Sequence, residues 1–385
     1  MPGFSSMDDF VSEVSQNGKF TRVDWNKSFL PTTAAVAGEW HCLFRGAGNP
    51  GADSIANTGT TVAWQQLSDT TTNATGIQHG GNVSPDYKHI VNASAFTAAA
   101  TTTPCILMLV DMLGFYRVNN VTLTTARNTI NTLVPFSDFT VDASTDIITH
   151  TNINLMPTST IQVSNTGGGL PAGLAAVTDY FVIKLTDTTC RLASSYANAV
   201  AGTAIDITTA GTGTQTINTL LPRYTDGAGV QSFMWANNAT PLGAGTPSLS
   251  IGYTQTTATG SRLTPAVLPI GKTACNNGTI LYSGTGSGKY GPFMPLQGGD
   301  RGIRSIETIQ NSTSYTSGEY SVALCKPLIT LPITTLGVAA ERDFMNQLPS
   351  LPRVYDGACL VWLMYSGQNT PTNSSIYGHI DLAFG

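Results

Sequence analysis

A glycine-rich segment has the residue types of a nucleotide-binding loop. Residues 286–291 (GSGKYG) fit the pattern Gly-x-Gly-x-x-Gly, and Lys289 is a residue type that contacts phosphate oxygens. A true phosphate loop would begin with Gly where Ser283 stands and would carry Ser or Thr where Tyr290 stands. Pro292 also disfavours the helix whose N-terminus would hold the phosphate. We therefore interpret the segment as a loop or hairpin turn and expect no cofactor.

Histidines are the next residues that could do chemistry. The sequence has them at His41, His79, His89, His150 and His379. His79 and His89 stand on either side of Asp86, and these three side chains are the best candidates for a shared metal ion. Metal ligands in proteins usually have tighter spacing than this. We expect a structured loop in which the rings make hydrogen bonds, and we predict no metal site.

The sequence shows no arrangement typical of an enzyme. Neither Gly-x-Ser-x-Gly nor His-Glu-x-x-His occurs, and no cysteine lies in a catalytic signature. A glycosidase needs a pair of carboxylates, but Glu307, Glu319 and Glu341 lie in no suggestive setting. We therefore predict no catalytic residues and a protein that is not an enzyme.

The cysteines and the amino terminus indicate the compartment. The six cysteines are widely scattered and form no Cys-x-x-Cys pair: Cys42, Cys105, Cys190, Cys275, Cys325 and Cys359. This spacing is typical of buried free thiols in a reducing compartment. The first residues lack the basic and apolar stretches of a signal peptide, and no apolar run is long enough to span a membrane. We expect synthesis in a cytoplasm and no membrane partner.

The elements that would position these residues begin with a short helix. Residues 6–14 (SMDDFVSEV) predict an amphipathic helix capped by Ser6 or Asp8, with Gly18 as a stop. This helix could dock on its own chain or reach a neighbouring one, and scattered tryptophans could act as core or interface anchors. The residues predicted to contact a neighbour are Phe10, Val11, Val14 and Trp25.

Short strands dominate the rest of the sequence. Residues 105–116 (CILMLVDMLGFY) have the length and character of a buried strand or a short core helix. Further strands are predicted at residues 121–130, 161–164, 180–185, 248–253, 280–282, 320–326 and 359–365. A second short helix is predicted at residues 338–348 (VAAERDFMNQL), ended by Pro349.

A repeated pentapeptide suggests an insertion. The sequence TINTL occurs at residues 129–133 and again at residues 216–220, and the stretch between them has its own Gly-rich and Thr-rich character. We predict a mainly β host domain of sandwich or jelly-roll type, with a few short helices, interrupted by a small exposed β-module. The predicted divisions are residues 1–133, 134–219 and 220–385.

The low content of charge favours an assembly protein. Only 11% of residues are charged, against about 25% in an average soluble domain. A charge-poor surface is a disadvantage for a free monomer but suits a surface that is buried against neighbouring subunits. The net charge is −5 and no cluster of Lys and Arg occurs, so direct nucleic-acid binding is not expected.

Several motifs of the predicted insertion resemble a small β-module that recurs in structural proteins of tailed bacteriophages. They are residues 167–174 (GGGLPAGL), 179–183 (DYFVI), 190–193 (CRLA), 198–206 (NAVAGTAID) and 211–214 (GTGT). One departure is Cys190, where the module usually has an aromatic residue. Four host segments are similar to uncharacterised phage virion proteins: residues 79–85, 290–296, 347–353 and 377–381.

This resemblance implies a virion part without assigning functional residues. We expect a homo-oligomer in the virion that contacts itself and other virion proteins, as a capsid shell or decoration subunit of the head. The commonest tailed-phage shell fold has a long helix that this sequence lacks. A tail or neck component is one alternative. Another is an adhesin that binds a host-surface glycan through residues 134–219.

Overall fold

The structure is a computed structural model of the chain, and it describes most residues. The described ranges are 3–28, 37–52, 63–69, 76–119, 128–129, 134–151, 155–236, 242–244, 247–258, 260, 262–264, 278–281, 291–345, 351–369 and 374–385.

The described residues form short helices and many strands. The α-helices are α1 (Met7–Ser15) and α2 (Tyr196–Ala201), and 3-10 helices lie at Leu43–Arg45 and Ala100–Thr102. The strands are β1 (Phe20–Ser28), β2 (Glu39–Cys42), β3 (Gly48–Asn49), β4 (Ala63–Gln66), β5 (Lys88–Thr97), β6 (Cys105–Asn119), β7 (Asn128–Thr129), β8 (Val134–Asp142), β9 (Ile147–His150), β10 (Thr160–Thr166), β11 (Tyr180–Lys184), β12 (Thr189–Ala193), β13 (Thr214–Thr219), β14 (Gln231–Ala236), β15 (Leu249–Gln255), β16 (Arg262–Leu263), β17 (Ile303–Asn311), β18 (Glu319–Ile333), β19 (Ala340–Asp343), β20 (Arg353–Val354), β21 (Leu360–Ser366) and β22 (Ser375–Phe384).

The strands form four antiparallel groups, so the predicted mainly β, sandwich-like fold is confirmed. The central sheet has the order β14-β18-β6-β21-β2, and β4 pairs with β6 outside this path. The outer sheet has the order β19-β5-β22-β1-β3, and β20 pairs with β5. The lateral sheet has the order β16-β15-β17-β7, and the barrel closes in the order β10-β11-β12-β9-β8-β13.

The long apolar run from Cys105 is the central strand β6. It pairs with β18 on one side and with β21 on the other, so neither of its edges meets water. Side chains on both of its faces are buried, which is why the sequence is apolar without alternation. A continuous apolar run is compatible with either a strand or a helix. This run is a strand because it pairs with a neighbouring strand on each side.

One face of the central sheet contributes to two separate cores. The first half of β6 and the second half of β18 pack against the outer sheet. Their side chains Leu107 and Leu331 share a core with Trp25 and Ile380 of that sheet. The other ends of the same two strands pack against the lateral sheet, in a core that contains Tyr253. The two long strands therefore hold the outer and lateral sheets side by side on one face.

The opposite face of the central sheet is curled around a third core. Val110, Phe115 and Trp235 lie in this core with Ile280. The segment from Gly278 to Leu281 bridges both edges of the sheet, because Ile280 N–H donates to Trp40 O at 2.9 Å on β2 and Leu281 N–H donates to Met234 O at 2.8 Å on β14. This segment satisfies backbone groups that two exposed sheet edges would leave unpaired.

A buried ion pair lies where the two cores on the first face meet. Asp111, in the middle of β6, accepts hydrogen bonds from Arg223 Nε at 2.8 Å and Nη2 at 2.6 Å. Arg223 also donates to the carbonyl oxygens of Leu67 at 3.0 Å and Met112 at 3.1 Å, and Asp111 accepts from the backbone N–H of Cys359 at 3.0 Å. Arg223 follows the barrel in the chain, so this network fixes the returning chain to the central sheet.

Residues between Val134 and Thr219 form the barrel. Its first and last strands, β8 and β13, pair with each other, and Val134 lies opposite Thr219. The two ends of the segment are therefore adjacent, and the first four residues of the second pentapeptide copy, 216–219, lie in β13. Cys190, the departure from the resembled module, is fully buried in the barrel core. The division into residues 1–133, 134–219 and 220–385 stays a prediction.

The barrel is attached to the host by buried polar contacts. Arg304 of β17 is 1% exposed and donates to Thr160 Oγ1 at 2.8 Å and Thr158 Oγ1 at 3.2 Å, both in the barrel. Thr225 Oγ1, just after the barrel, lies 2.6 Å from Ser159 Oγ. Such contacts orient the barrel, because buried donors and acceptors lose energy when they separate without a new partner.

The predicted helix at residues 338–348 is wrong for the part that the structure describes. Residues 340–343 form strand β19, which pairs with β5 from Ala340 opposite Ala95 to Asp343 opposite Asn92. Good helix formers in a short segment favour a helix only weakly, and hydrogen bonding to the free edge of β5 outweighs that preference. Residues 346–350 lie outside the described residues, as do residues 121–127 and 130 of the strand predicted at 121–130.

Candidate functional site

The predicted N-terminal helix is present as α1, and its cap is Ser6. The Ser6 hydroxyl accepts a hydrogen bond from the Asp9 backbone N–H at 3.0 Å. The Asp9 carboxylate accepts one from the Ser5 backbone N–H at 2.8 Å, so the two side chains satisfy donors that a helix start leaves unpaired. The cap therefore explains why the helix begins at Met7.

The four predicted contact residues lie in different surroundings. Phe10 and Val14 of α1 are half-buried, and Val11 is exposed. Trp25 is buried, and its ring lies 4.7 Å from the ring of Trp362 between centroids, inside the core of the chain. Its side chain is therefore a core anchor that offers a neighbour little surface. Contact of these residues with a neighbouring chain stays a prediction.

An exposed apolar surface lies on the outer sheet, on the face turned away from the central sheet. The rings of Phe96 on β5 and Tyr377 on β22 stack with their centroids 5.7 Å apart, and each residue is 39% exposed. A backbone hydrogen bond from Gly337 to β5 holds Leu336 and Val338 beside the end of that strand. These two side chains are 45% and 58% exposed. We call Phe96, Leu336, Val338 and Tyr377 the apolar patch.

Polar side chains surround the apolar patch. It borders an open groove of about 520 Å³ that also contains Asp24, Asn26 and His379. Farther along the same face, Arg22 donates to Asp381 through Nε at 2.7 Å and Nη2 at 2.8 Å. An exposed apolar area bordered by polar side chains is typical of a contact surface. The alternation of residues along a strand places them on one face or the other, but it does not reveal whether another sheet covers that face. The apolar patch could therefore not be predicted from the sequence.

A polar cleft of about 460 Å³ lies between the barrel and the lateral sheet. The barrel contributes Thr160, Gln162, Asp179 and Phe181 to its walls, and the host wall includes Tyr116, Leu220, Thr254, Ser305, Glu307 and Thr308. We call this space the junction cleft. The two walls belong to segments far apart in the sequence, and only the docking of the barrel brings them together.

The carboxylates of the junction cleft are held by hydrogen bonds. Gln162 Nε2 donates to Asp179 Oδ1 at 2.8 Å, and the Thr254 hydroxyl donates to Glu307 Oε1. Glu307 had no suggestive setting in the sequence, and the fold places it in a cleft with a second carboxylate. The spacing of residues in the sequence could not have predicted this pair of carboxylates, since their proximity depends on the position of the barrel.

His79 and His89, the candidate metal ligands, have protein partners in the structure. His79 Nε2 lies 2.9 Å from Ala358 O, and its Nδ1 lies 3.0 Å from Lys88 Nζ. His89 Nδ1 lies 3.3 Å from Leu351 O. Within the described ranges no group of three or more His, Cys, Asp or Glu side chains is placed to hold a metal ion. Both rings have the predicted hydrogen-bond partners, but only His79 lies in a loop, because His89 is the second residue of strand β5.

The surroundings of His79 predict a loss of stability in acid. Burial lowers the pKa of His79, and the positive charge of Lys88 lowers it further, while Asp69 and Asp111 oppose the shift. Below about pH 6.5, His79 therefore binds a proton in the unfolded chain, whereas in the folded chain it stays neutral until the pH is lower. The free energy of unfolding should fall as the pH drops from 7 to 5, measured by denaturant titration. His79→Gln should make this slope shallower by up to about 1.4 kcal/mol per pH unit.

A matched variant separates this effect from general acid sensitivity. Burial also lowers the pKa of His89, so some slope should remain in His79→Gln. His89→Gln removes only this second contribution, so a slope from His79 should remain in that variant. Equal slopes for the unmodified protein and His79→Gln would contradict the assignment.

The described cysteines are all buried thiols outside any disulfide, as predicted: Cys42, Cys105, Cys190, Cys325 and Cys359. Burial raises the pKa of Cys105 to about 12, and the pKa of Cys190 also to about 12. Reactive cysteines need the thiolate form, so these two thiols are unsuited to nucleophilic chemistry. Cys275 and most of the glycine-rich segment at residues 286–291 lie outside the described residues.

In the part that the structure describes, no helix has the length and apolar character to cross a membrane.

Comparisons with known proteins assign no family to the chain. No protein-family model matches the sequence, and no curated protein matches it. A solved structure titled "Structure of infectious bursal disease virus Gt strain" is similar at 10% identity, over 97% of this chain and 86% of that one. Its TM-score of 0.15 is too low to indicate a shared fold, so nothing is transferred from it.

Proposed function

We propose that this chain is a non-enzymatic structural subunit of a virus particle. More narrowly, we propose a capsid shell or decoration subunit of a tailed-phage head, with a tail or neck position as the alternative. The chain would act by packing against further copies of itself and against other virion proteins. The barrel segment, whose motifs resemble a tailed-phage structural module, supports the narrower assignment.

The observation that carries the proposal is the apolar patch in a chain so poor in charge. Only 11% of residues are charged, which gives the surface little like-charge repulsion to keep copies apart. The apolar patch carries no formal charge, so it can meet the same patch of a second copy across a two-fold axis without burying an unpaired ion. We therefore assign a second copy of this chain as its occupant.

The framework behind the apolar patch suits a mechanical role. The outer sheet that carries the patch is packed on the central sheet through Trp25, Trp362 and other fully apolar contacts. A buried ion pair fixes the chain that returns from the barrel to the central sheet, and the segment at residues 278–281 bridges the edges of that sheet. A rigid frame lowers the entropy that each contact must overcome when copies associate.

Self-association tests the proposal on the isolated chain. Leu336→Ser combined with Val338→Ser removes two exposed apolar side chains of the patch and should weaken self-association by about tenfold or more. The measurement is sedimentation velocity over a range of protein concentrations. Both positions lie in an exposed loop, so the circular dichroism spectrum and the unfolding midpoint should not change.

The barrel offers a matched control. Val177 and Val200 are also exposed, and Val177→Ser combined with Val200→Ser likewise replaces two exposed aliphatic side chains by serine, away from the apolar patch. This control should associate like the unmodified chain. Monomers at all concentrations, or equal association of both double variants, would contradict the assignment of the patch.

A further inference from the structure

The junction cleft has the size of a small-molecule site and a lining made for hydrogen bonding. Its volume of about 460 Å³ falls in the range of about 300–1,000 Å³ that ligand pockets occupy. Three kinds of group meet in it: carboxylates, neutral amide or hydroxyl groups, and an aromatic ring. Neither the framework contacts nor the apolar patch uses this cleft.

The charge of the cleft selects against anions. Asp179 and Glu307 are acidic, and none of its described lining residues is basic. A phosphate or a carboxylated ligand would meet repulsion there without a compensating partner. A ligand that donates hydrogen bonds to the carboxylates, through hydroxyl groups, fits this lining.

Two neutral polar groups of the cleft have unused hydrogen-bonding capacity. Gln162 is 9% exposed, and its Nε2 donates to Asp179, while its amide oxygen accepts no hydrogen bond from the described residues. The Ser305 hydroxyl also makes no side-chain hydrogen bond within the described part of the chain. The Gln162 amide oxygen is open to solvent rather than sealed in the core, so a ligand hydroxyl can take the place of water there.

An aromatic ring completes the lining. Phe181 is half-buried in the cleft wall, and its ring packs edge-on against Tyr196 with centroids 6.4 Å apart. This packing orients the ring, and an aromatic face beside hydrogen-bonding groups suits a ring that has both apolar C–H and polar O–H groups. Sugar rings have that combination.

The two walls are held in place before any ligand binds. Arg304 lies behind the cleft and joins the host strand β17 to Thr158 and Thr160 of the barrel. Its guanidinium also lies 5.5 Å from the centre of the Tyr196 ring, which packs on Phe181. A site built in advance costs less entropy on binding.

We propose that the junction cleft binds a neutral sugar unit. Asp179 and Glu307 accept hydrogen bonds from sugar hydroxyls, Gln162 accepts another, and Phe181 packs on the sugar ring. The site uses both the barrel and the host. It therefore goes beyond a structural role, and it does not require that the apolar patch mediate self-association.

Ligand-observed NMR on the full chain tests this site. The neutral probes are glucose, galactose, mannose and N-acetylglucosamine, the anionic probe is N-acetylneuraminic acid, and the cationic probe is lysine amide. We expect at least one neutral sugar to bind with a dissociation constant of about 1 mM and the anionic probe not to bind. Asp179→Ala and Phe181→Ala should each weaken binding by about tenfold.

The controls keep the test decisive. Asp206→Ala removes an exposed carboxylate of the same barrel outside the cleft and should leave binding unchanged. No binding of any neutral sugar at about 10 mM would overturn the proposal, as would binding that survives both cleft variants. Binding of lysine amide alone would also overturn it and would indicate a site for a basic side chain. Sedimentation of the cleft variants should match the unmodified chain, which separates this test from that of the proposed function.

Discussion

Arg223→Met is expected to lower the free energy of unfolding by about 3–5 kcal/mol. The variant leaves Asp111, which is 0% exposed, as a buried charge in the middle of β6. Although burial acts to lower it, the adjacent Asp111 carboxylate raises the pKa of Arg223, so the guanidinium is held in its charged form. Loss of the arginine also removes the donors for two backbone carbonyl groups.

The paired replacement distinguishes an unpaired charge from lost packing. Arg223→Met combined with Asp111→Leu removes both charges and should recover much of the stability, since apolar residues can replace a buried ion pair at little cost. Recovery should be incomplete, because the Cys359 N–H then loses its acceptor.

Denaturant unfolding followed by tryptophan fluorescence gives these values. Arg22→Met is the matched control, because Arg22 also holds a carboxylate through two hydrogen bonds but its side chain is 54% exposed. It should cost clearly less than Arg223→Met. Equal losses for the two single variants, or a double variant less stable than Arg223→Met, would contradict the role given to the pair.

Trp362→Ala is expected to cost about 3–5 kcal/mol of stability. Trp362 lies on β21, is fully buried, and packs in a tilted arrangement against Trp25 across the interface between the central and outer sheets. Its removal opens a cavity between the sheets that backbone relaxation can fill only in part. The outer sheet should loosen most, which hydrogen exchange of β1 and β22 can measure.

A smaller replacement at the same position controls for the size of the cavity. Trp362→Phe keeps an aromatic ring in contact with Trp25 and should lose markedly less stability than the alanine variant. Exchange in the barrel should be unchanged in both variants, because its core is a separate cluster. Uniform loss of protection over the whole chain would indicate that the sheets do not pack as two layers.

The parts of the fold that follow from local pattern were predictable. The N-terminal helix has its polar cap and its apolar spacing within a few residues, and α1 begins after Ser6 as expected. The run from Cys105 was open between strand and helix, because both of its faces are buried and periodicity is lost. The segment at residues 338–348 was misjudged because its conformation depends on pairing with β5, which is distant in the sequence.

The sites depend on long-range contacts and were not predictable. Asp111 interrupts an apolar run visibly, but its partner Arg223 lies 112 residues later. Asp179 and Glu307 share the junction cleft only because the barrel docks on the lateral sheet. The apolar patch combines two strands and a loop whose exposure depends on which face of the outer sheet remains uncovered. Residue spacing contains none of this information.

The most direct test of the central claim is the number of copies of this chain in purified virus particles. Quantitative mass spectrometry against the portal protein, whose copy number is fixed, provides that value. A head subunit requires on the order of hundreds of copies per particle, since icosahedral symmetry multiplies each position. A copy number between a few and roughly a few dozen would contradict a head position and favour the tail or neck. Complete absence from the particle would contradict the structural role itself.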